Sequence, residues 1–99
     1  MKPRAIYRYD LPLDDVVTVA MPFGARVLAV QVQGELPRIW ADVQPSNTEE
    51  GYRFCVRGTG HPMKGNEGRY IGTFQMHGGA LVFHVFEHNG GRSASEEKR

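Results

Sequence analysis

The eight residues from Ala80 to Glu87, Ala-Leu-Val-Phe-His-Val-Phe-Glu, narrow the choice of fold more than any other stretch of the chain. The run is too short for a stable globular helix and has the length of a strand. It opens after Gly78-Gly79 and closes on His88-Asn89-Gly90-Gly91, both turn-forming clusters. Leu81, Phe83 and Val85 alternate with Val82 and Phe86, so both faces carry bulk. A strand apolar on both faces lies inside a sheet with cover on each side, so this segment is expected to be a central strand.

The rest of the chain repeats the strand signal without matching the central run's hydrophobicity. Ala5–Tyr9 alternates with aromatics, and Val16–Ala20 is β-branched, which disfavours helix and suits a pleated surface. Asp10–Asp15 separates them, with Pro12 removing a backbone donor. After the Met21-Pro22-Phe23-Gly24 turn, a long strand from Ala25 to Gln33 is expected. Its alternation puts Leu28, Val30 and Val32 on one face and Ala25, Val27 and Ala29 on the other. Gly34-Glu35 fills a two-residue gap typical of tight hairpins. Leu36–Val43 follows, with Trp40 assigned to the core. Tyr52–Arg57 points Tyr52, Phe54 and Val56 inward, and Arg53 and Arg57 outward. In Arg69–Met76, Tyr70, Phe74 and Met76 share one face, and Gly72 signals a bulge or a close backbone approach.

No window has helical periodicity. Strands with turn signals every 8–12 residues or so predict an all-β domain: one small antiparallel sandwich or barrel of about six to seven strands. A chain of 99 residues is one domain. It is expected to span residues 1–89, followed by a disordered polar tail over 90–99.

Charge and cysteine usage exclude several function classes. Twelve basic residues balance eleven acidic ones, a net +1, which argues against nucleic acid as the main partner. No apolar run approaches the roughly 20 residues of a membrane helix. The single cysteine, Cys55, and the lack of a signal peptide point to a reducing cytoplasm. The histidines are too scattered for a metal site: His84 and His88 would lie roughly 13 Å apart along a strand. No nucleophile signature flanks Cys55, so no catalytic residue, cofactor or metal ligand is assigned and the chain is not expected to be an enzyme.

Two sets of residues remain as candidates. Arg57, Gly58, Thr59, Gly60 and His61 could hold a small anion such as a nucleotide phosphate, with glycine-freed amides forming a nest. The alternative is an irregular turn, with a cis bond conceivable at His61-Pro62. Arg53, Arg57, Arg69 and Tyr70 could form an interaction surface.

Several blocks taken together extend the reading: Met21–Ala25, Val30–Gln33, Trp40-Ala41, Gly58-Thr59-Gly60-His61-Pro62, Tyr70–Gln75 and Gly79–Glu87. From Ile6 to Glu87 the chain resembles a family of small, functionally uncharacterised proteins of bacteriophages and prophages. The resemblance implies a phage-encoded accessory protein in the bacterial host cytoplasm and assigns no residue a role. The expected function is non-catalytic binding of a host protein, for instance a defence component, with a homodimer through edge strands as the self-association mode. The alternatives are sequestration of a small anion or nucleotide by the Gly58–Pro62 loop, and a structural role in the virion.

Overall fold

The computed structural model describes residues 3–88, which form seven strands and one 3₁₀ turn. The strands are β1 (Ala5–Asp10), β2 (Val16–Pro22), β3 (Arg26–Gln33), β4 (Leu36–Val43), β5 (Glu49–Gly58), β6 (Arg69–Met76) and β7 (Leu81–Glu87). They make two antiparallel sheets, a three-stranded one ordered β1-β4-β3 and a four-stranded one ordered β2-β5-β7-β6. The two pack as a sandwich. The expected tail, 90–99, lies outside the described residues.

Alternation builds the core. From the three-stranded sheet, Val30, Ile39, Ala41 and Val43 point inward; from the other come Val17, Val19, Met21, Tyr52, Phe54, Val56, Phe74 and Val85. Leu11, on the connection after β1, closes one end. Burying such side chains contributes roughly 1.5–3 kcal/mol each. Tyr52 keeps a polar tip in this interior. Its hydroxyl donates to the Pro22 carbonyl at 2.9 Å and accepts from the Ala25 amide at 3.1 Å, tying down the β2–β3 turn.

Strand β7 lies between β5 and β6, the central position its sequence predicts. Its cover is thinner than expected. Val85 is buried, whereas Phe83 is half-buried against Phe74, and Val82 and Phe86 stay half-exposed on the outer face. Trp40 is also a correction. Pro37, Ile39, Ala41 and Val43 take the inward positions of β4, which leaves Arg38, Trp40 and Asp42 outside.

Two bulges account for the other face errors. In β3 the register shifts between Val27 and Ala29, so Leu28 is an extra residue. Val27 therefore joins Val30 and Val32 against the core, and Leu28 turns out to solvent at 45% exposure. In β6 the shift falls between Tyr70 and Gly72. It sends Ile71 inward and Tyr70 outward, the reverse of strict alternation. Bulges bend and twist the strand that carries them. Here they sit on the two strands where the sheets meet, for a Cβ on Gly72 would lie 3.4 Å from the Val30 Cβ.

The β3–β4 hairpin turns through Gly34 (φ 62°) and Glu35 (φ 68°), between the paired residues Gln33 and Leu36. Positive φ at both central residues is the type I′ arrangement that matches strand twist. Glycine adopts it freely; glutamate does so at a cost. Glu35→Asn is expected to stabilise the domain by about 0.5–1 kcal/mol and to raise the melting temperature by roughly 2–8 °C in a thermal unfolding scan.

Candidate functional site

Strands β5 and β6 are both antiparallel to β7, which lies between them, so they run parallel to each other. The chain from Gly58 to Arg69 must therefore travel back along the sheet, and it does so over the outer face. This crossover loop contains the glycine-rich stretch singled out in the sequence.

Its first residues form a turn. The His61 amide donates to the Gly58 carbonyl at 3.0 Å, with Gly60 at φ +91°. The Thr59 amide donates to the Val82 carbonyl at 3.0 Å. Two of the amides expected to converge on an anion are thus spent within the protein. The described residues contain no cis peptide, so His61-Pro62 is trans. The His61 ring packs over Gly58, where an added Cβ would come within 2.9 Å of it. A shallow cleft of about 370 Å³ runs beside the turn, lined by Thr59, His61, Leu81, Val82 and Phe83.

Arg57 does not reach that cleft. It points outward from β5, but the loop covers it and only 6% of the residue is exposed. Its Nε donates to Glu67 Oε2 at 3.1 Å, and one terminal nitrogen donates to the Asp15 and Val56 carbonyls. Glu67, 2% exposed, also accepts from the backbone amides of Lys64 at 2.6 Å and Gly65 at 3.0 Å. The amide of Lys64, followed by the other backbone donors and the Arg57 guanidinium, holds the Glu67 carboxyl down at about 2. Gly68 then passes so close to β7 that a Cβ there would collide with the Glu87 carbonyl oxygen. The role expected for Arg57, as a free cation, is replaced by that of a buried clamp.

The remaining surface candidates scatter. Arg53 is half-buried on the outer face of β5. Arg69 pairs with Glu87, whose carboxyl is pushed up by burial and drawn back by that arginine. Tyr70 is 55% exposed, with its ring edge-on to Phe86 at 5.7 Å. Cross-strand register aligns Val16, Cys55, Phe86 and Tyr70 in one row across the four strands. Arg53 stands two residues from that row along β5.

The structure adds a chain of hydrogen bonds along this face. Tyr70 and Thr73 share a hydroxyl contact, Thr73 Oγ1 lies 2.9 Å from His84 Nδ1, and His84 Nε2 lies 2.7 Å from Thr59 Oγ1. Thr59 Oγ1 also reaches the Val82 carbonyl at 3.4 Å. These bonds can all be made if each hydroxyl donates onward from Tyr70 to Val82, with neutral His84 accepting at Nδ1 and donating at Nε2. No carboxylate joins this chain among the described residues. Its effect is to fasten the start of the crossover loop to β7 and β6.

The outer face of the three-stranded sheet gathers a different set, which the sequence reading did not find. Arg8 lies directly across from Trp40 on one side, and Ala29 with the bulged Leu28 on the other. Arg38 and Asp42 flank Trp40 along β4, and Ile6 and Arg26 both lie across from Asp42. Arg4 bonds Asp42 at 2.8 Å, Arg26 lies 3.7 Å from it, Arg38 pairs with Asp10, and Arg8 donates to Gln33. Ile6 at 63% exposure and Leu28 add apolar surface beside the indole. The alternating positions Ile6, Arg8 and Asp10, and Arg38, Trp40 and Asp42, were the available signal. Only long-range pairing and the bulge bring the two rows together.

Among the described residues, no group of three or more histidine, cysteine or acidic side chains converges to hold a metal ion. No helix there is long and apolar enough to cross a membrane.

In comparisons with known proteins, the family model DUF7352, described as a domain of unknown function, matches residues 2–95. No curated protein and no solved structure matches.

The depressed Glu67 carboxyl sets a pH dependence. A carboxyl whose folded value lies below its unfolded value of about 4.5 contributes stability above pH 4.5, and that contribution is lost as pH falls towards 2. Acid unfolding of Glu67→Gln is expected to show a shallower loss of stability between about pH 4.5 and 2 than the parent, together with a lower melting temperature at pH 7. Parallel curves over that window would show that Glu67 is not clamped.

Proposed function

The chain belongs to the DUF7352 family, a domain of unknown function, and from that premise we propose that it is a non-catalytic binding protein, phage-encoded and acting in the bacterial host cytoplasm. Its target is a host protein, a component of a defence system being one such target. The observation that carries the reading is the outer face of the three-stranded sheet, where Trp40 lies among arginines beside exposed Ile6 and Leu28. Single exposed apolar residues are ordinary on any protein surface. Tryptophan and arginine together, ringed by further apolar side chains, form the kind of cluster that dominates binding energy at protein interfaces. The resemblance of its sequence blocks to those of phage and prophage proteins is what suggests the setting.

Among the described residues, His84 bonds the neutral hydroxyls of Thr59 and Thr73, an arrangement that suits a structural fastening. The sequestering alternative loses ground for a similar reason, since Arg57 and two of the turn amides already have partners. Self-association has one observation in its favour. Among the described residues, strand β1 pairs only with β4, and Ile6 and Tyr7 are exposed along it, so a second copy could extend the sheet there.

Affinity capture from host lysate, run beside a thermal-shift screen of nucleotides, tests the reading. The parent chain is expected to retain a host protein that Trp40→Ala loses, with no nucleotide raising the melting temperature. A nucleotide in large excess that raised it by several degrees, with no protein captured, would replace this reading with ligand sequestration.

A further inference from the structure

The charge on the Trp40 face specifies the chemistry of what docks there, an inference that rests on the binding-protein reading. Four guanidinium groups stand on or beside this face, those of Arg4, Arg8, Arg26 and Arg38, against two carboxylates, Asp10 and Asp42. Asp42 is shared by Arg4 and Arg26, with the longer contact to Arg26, whose side chain is 72% exposed. Arg38 takes Asp10. Among the described residues, Arg8 has only the neutral amide oxygen of Gln33. Two of the four positive charges are therefore not offset by a carboxylate on this face, in a chain whose overall charge is close to balance. Their strands lie on either side of β4, Arg8 on β1 across from Trp40 and Arg26 on β3 across from Asp42, and the Arg8 side chain reaches over β4 to Gln33.

We propose that this face docks an acidic segment of a partner protein, two carboxylates pairing with Arg8 and Arg26 while an apolar side chain lies against Trp40, Ile6 and Leu28. Arginine's planar fork accepts carboxylates in paired hydrogen bonds, and the indole supplies an anchor that excludes water. A nucleic acid strand fits less well. Asp10 and Asp42 stand between the arginines and would repel a phosphate chain, and Trp40 is the one aromatic side chain that β4, the middle strand, offers for base stacking. On the other sheet the crossover loop lies over part of the outer face.

Trp40 is the only tryptophan in the chain, so its fluorescence reports on this face directly. The full chain is titrated at low salt with poly-L-glutamate, poly-L-lysine and single-stranded oligothymidylate. Poly-L-glutamate is expected to shift Trp40 emission to saturation, and added salt to weaken it. Arg8→Glu/Arg26→Glu is expected to raise the half-saturation point by about tenfold or more, and the gentler Arg8→Gln/Arg26→Gln to raise it less, both keeping the parent's circular dichroism. No response to poly-L-glutamate, an equal response in both double variants, or tighter binding of oligothymidylate would overturn the proposal. Capture from lysate separates the two levels. A host protein retained equally by parent and charge-reversed chains overturns this assignment and leaves the binding reading standing. A lysate from which neither chain retains a protein overturns both.

Discussion

Arg57 and Glu67 meet beneath a loop that topology requires. A strand can be inserted between two parallel neighbours only if the connection joining those neighbours passes over it. Here the neighbours are β5 and β6, the inserted strand is β7, and the connection is the stretch from Gly58 to Arg69. Such a connection has little apolar surface with which to hold itself down. Two polar fastenings do so instead. At one end, Thr59 bonds the Val82 carbonyl and the His84 ring. Further along, Glu67 takes the Arg57 guanidinium and two loop amides. A buried charge left without its partner is far more costly than the pair is favourable, so each member enforces the position of the other. The loop composition follows: Gly68 has to pass against the β7 backbone where no side chain fits.

This constraint divides the molecule into two surfaces of different kind. The four-stranded sheet uses Arg57 and His84 on its outer face to hold the crossover. The three-stranded sheet turns from β3 to β4 through a two-residue hairpin, and Arg38, Trp40 and Asp42 on its outer face are half-buried. The face proposed for binding lies on the sheet without the crossover.

Most of the fold was legible. Strands β4 and β6 begin and end where alternation and turn residues put them, and the Gly34-Glu35 gap marks a true two-residue hairpin. What alternation could not supply was the count of residues at Leu28 and Ile71, because a bulge is one extra residue with no fixed sequence mark. Gly72 hinted at the second, but its direction was still misjudged. Each bulge inverts every face assignment on one side of it, and that alone moved Leu28 and Tyr70 to the surface. The site was less legible for a related reason. Arg57 has the same spacing as an exposed strand residue, and only a loop ten residues further on buries it. Trp40 looked like core because tryptophan carries much apolar area, yet Ile39 and Ala41 already hold the inward positions.

Native-state hydrogen exchange on Arg57→Leu tests the central claim most directly, with Arg53→Leu as the surface control. If the clamp holds the crossover, amides in the β5–β7 and β6–β7 ladders lose protection together in Arg57→Leu, while those of the β3–β4 hairpin keep the parent's rates. Equal protection of the β7 amides in the parent and in both variants would contradict it, and would mean that β7 stays in place without the pair beneath the loop.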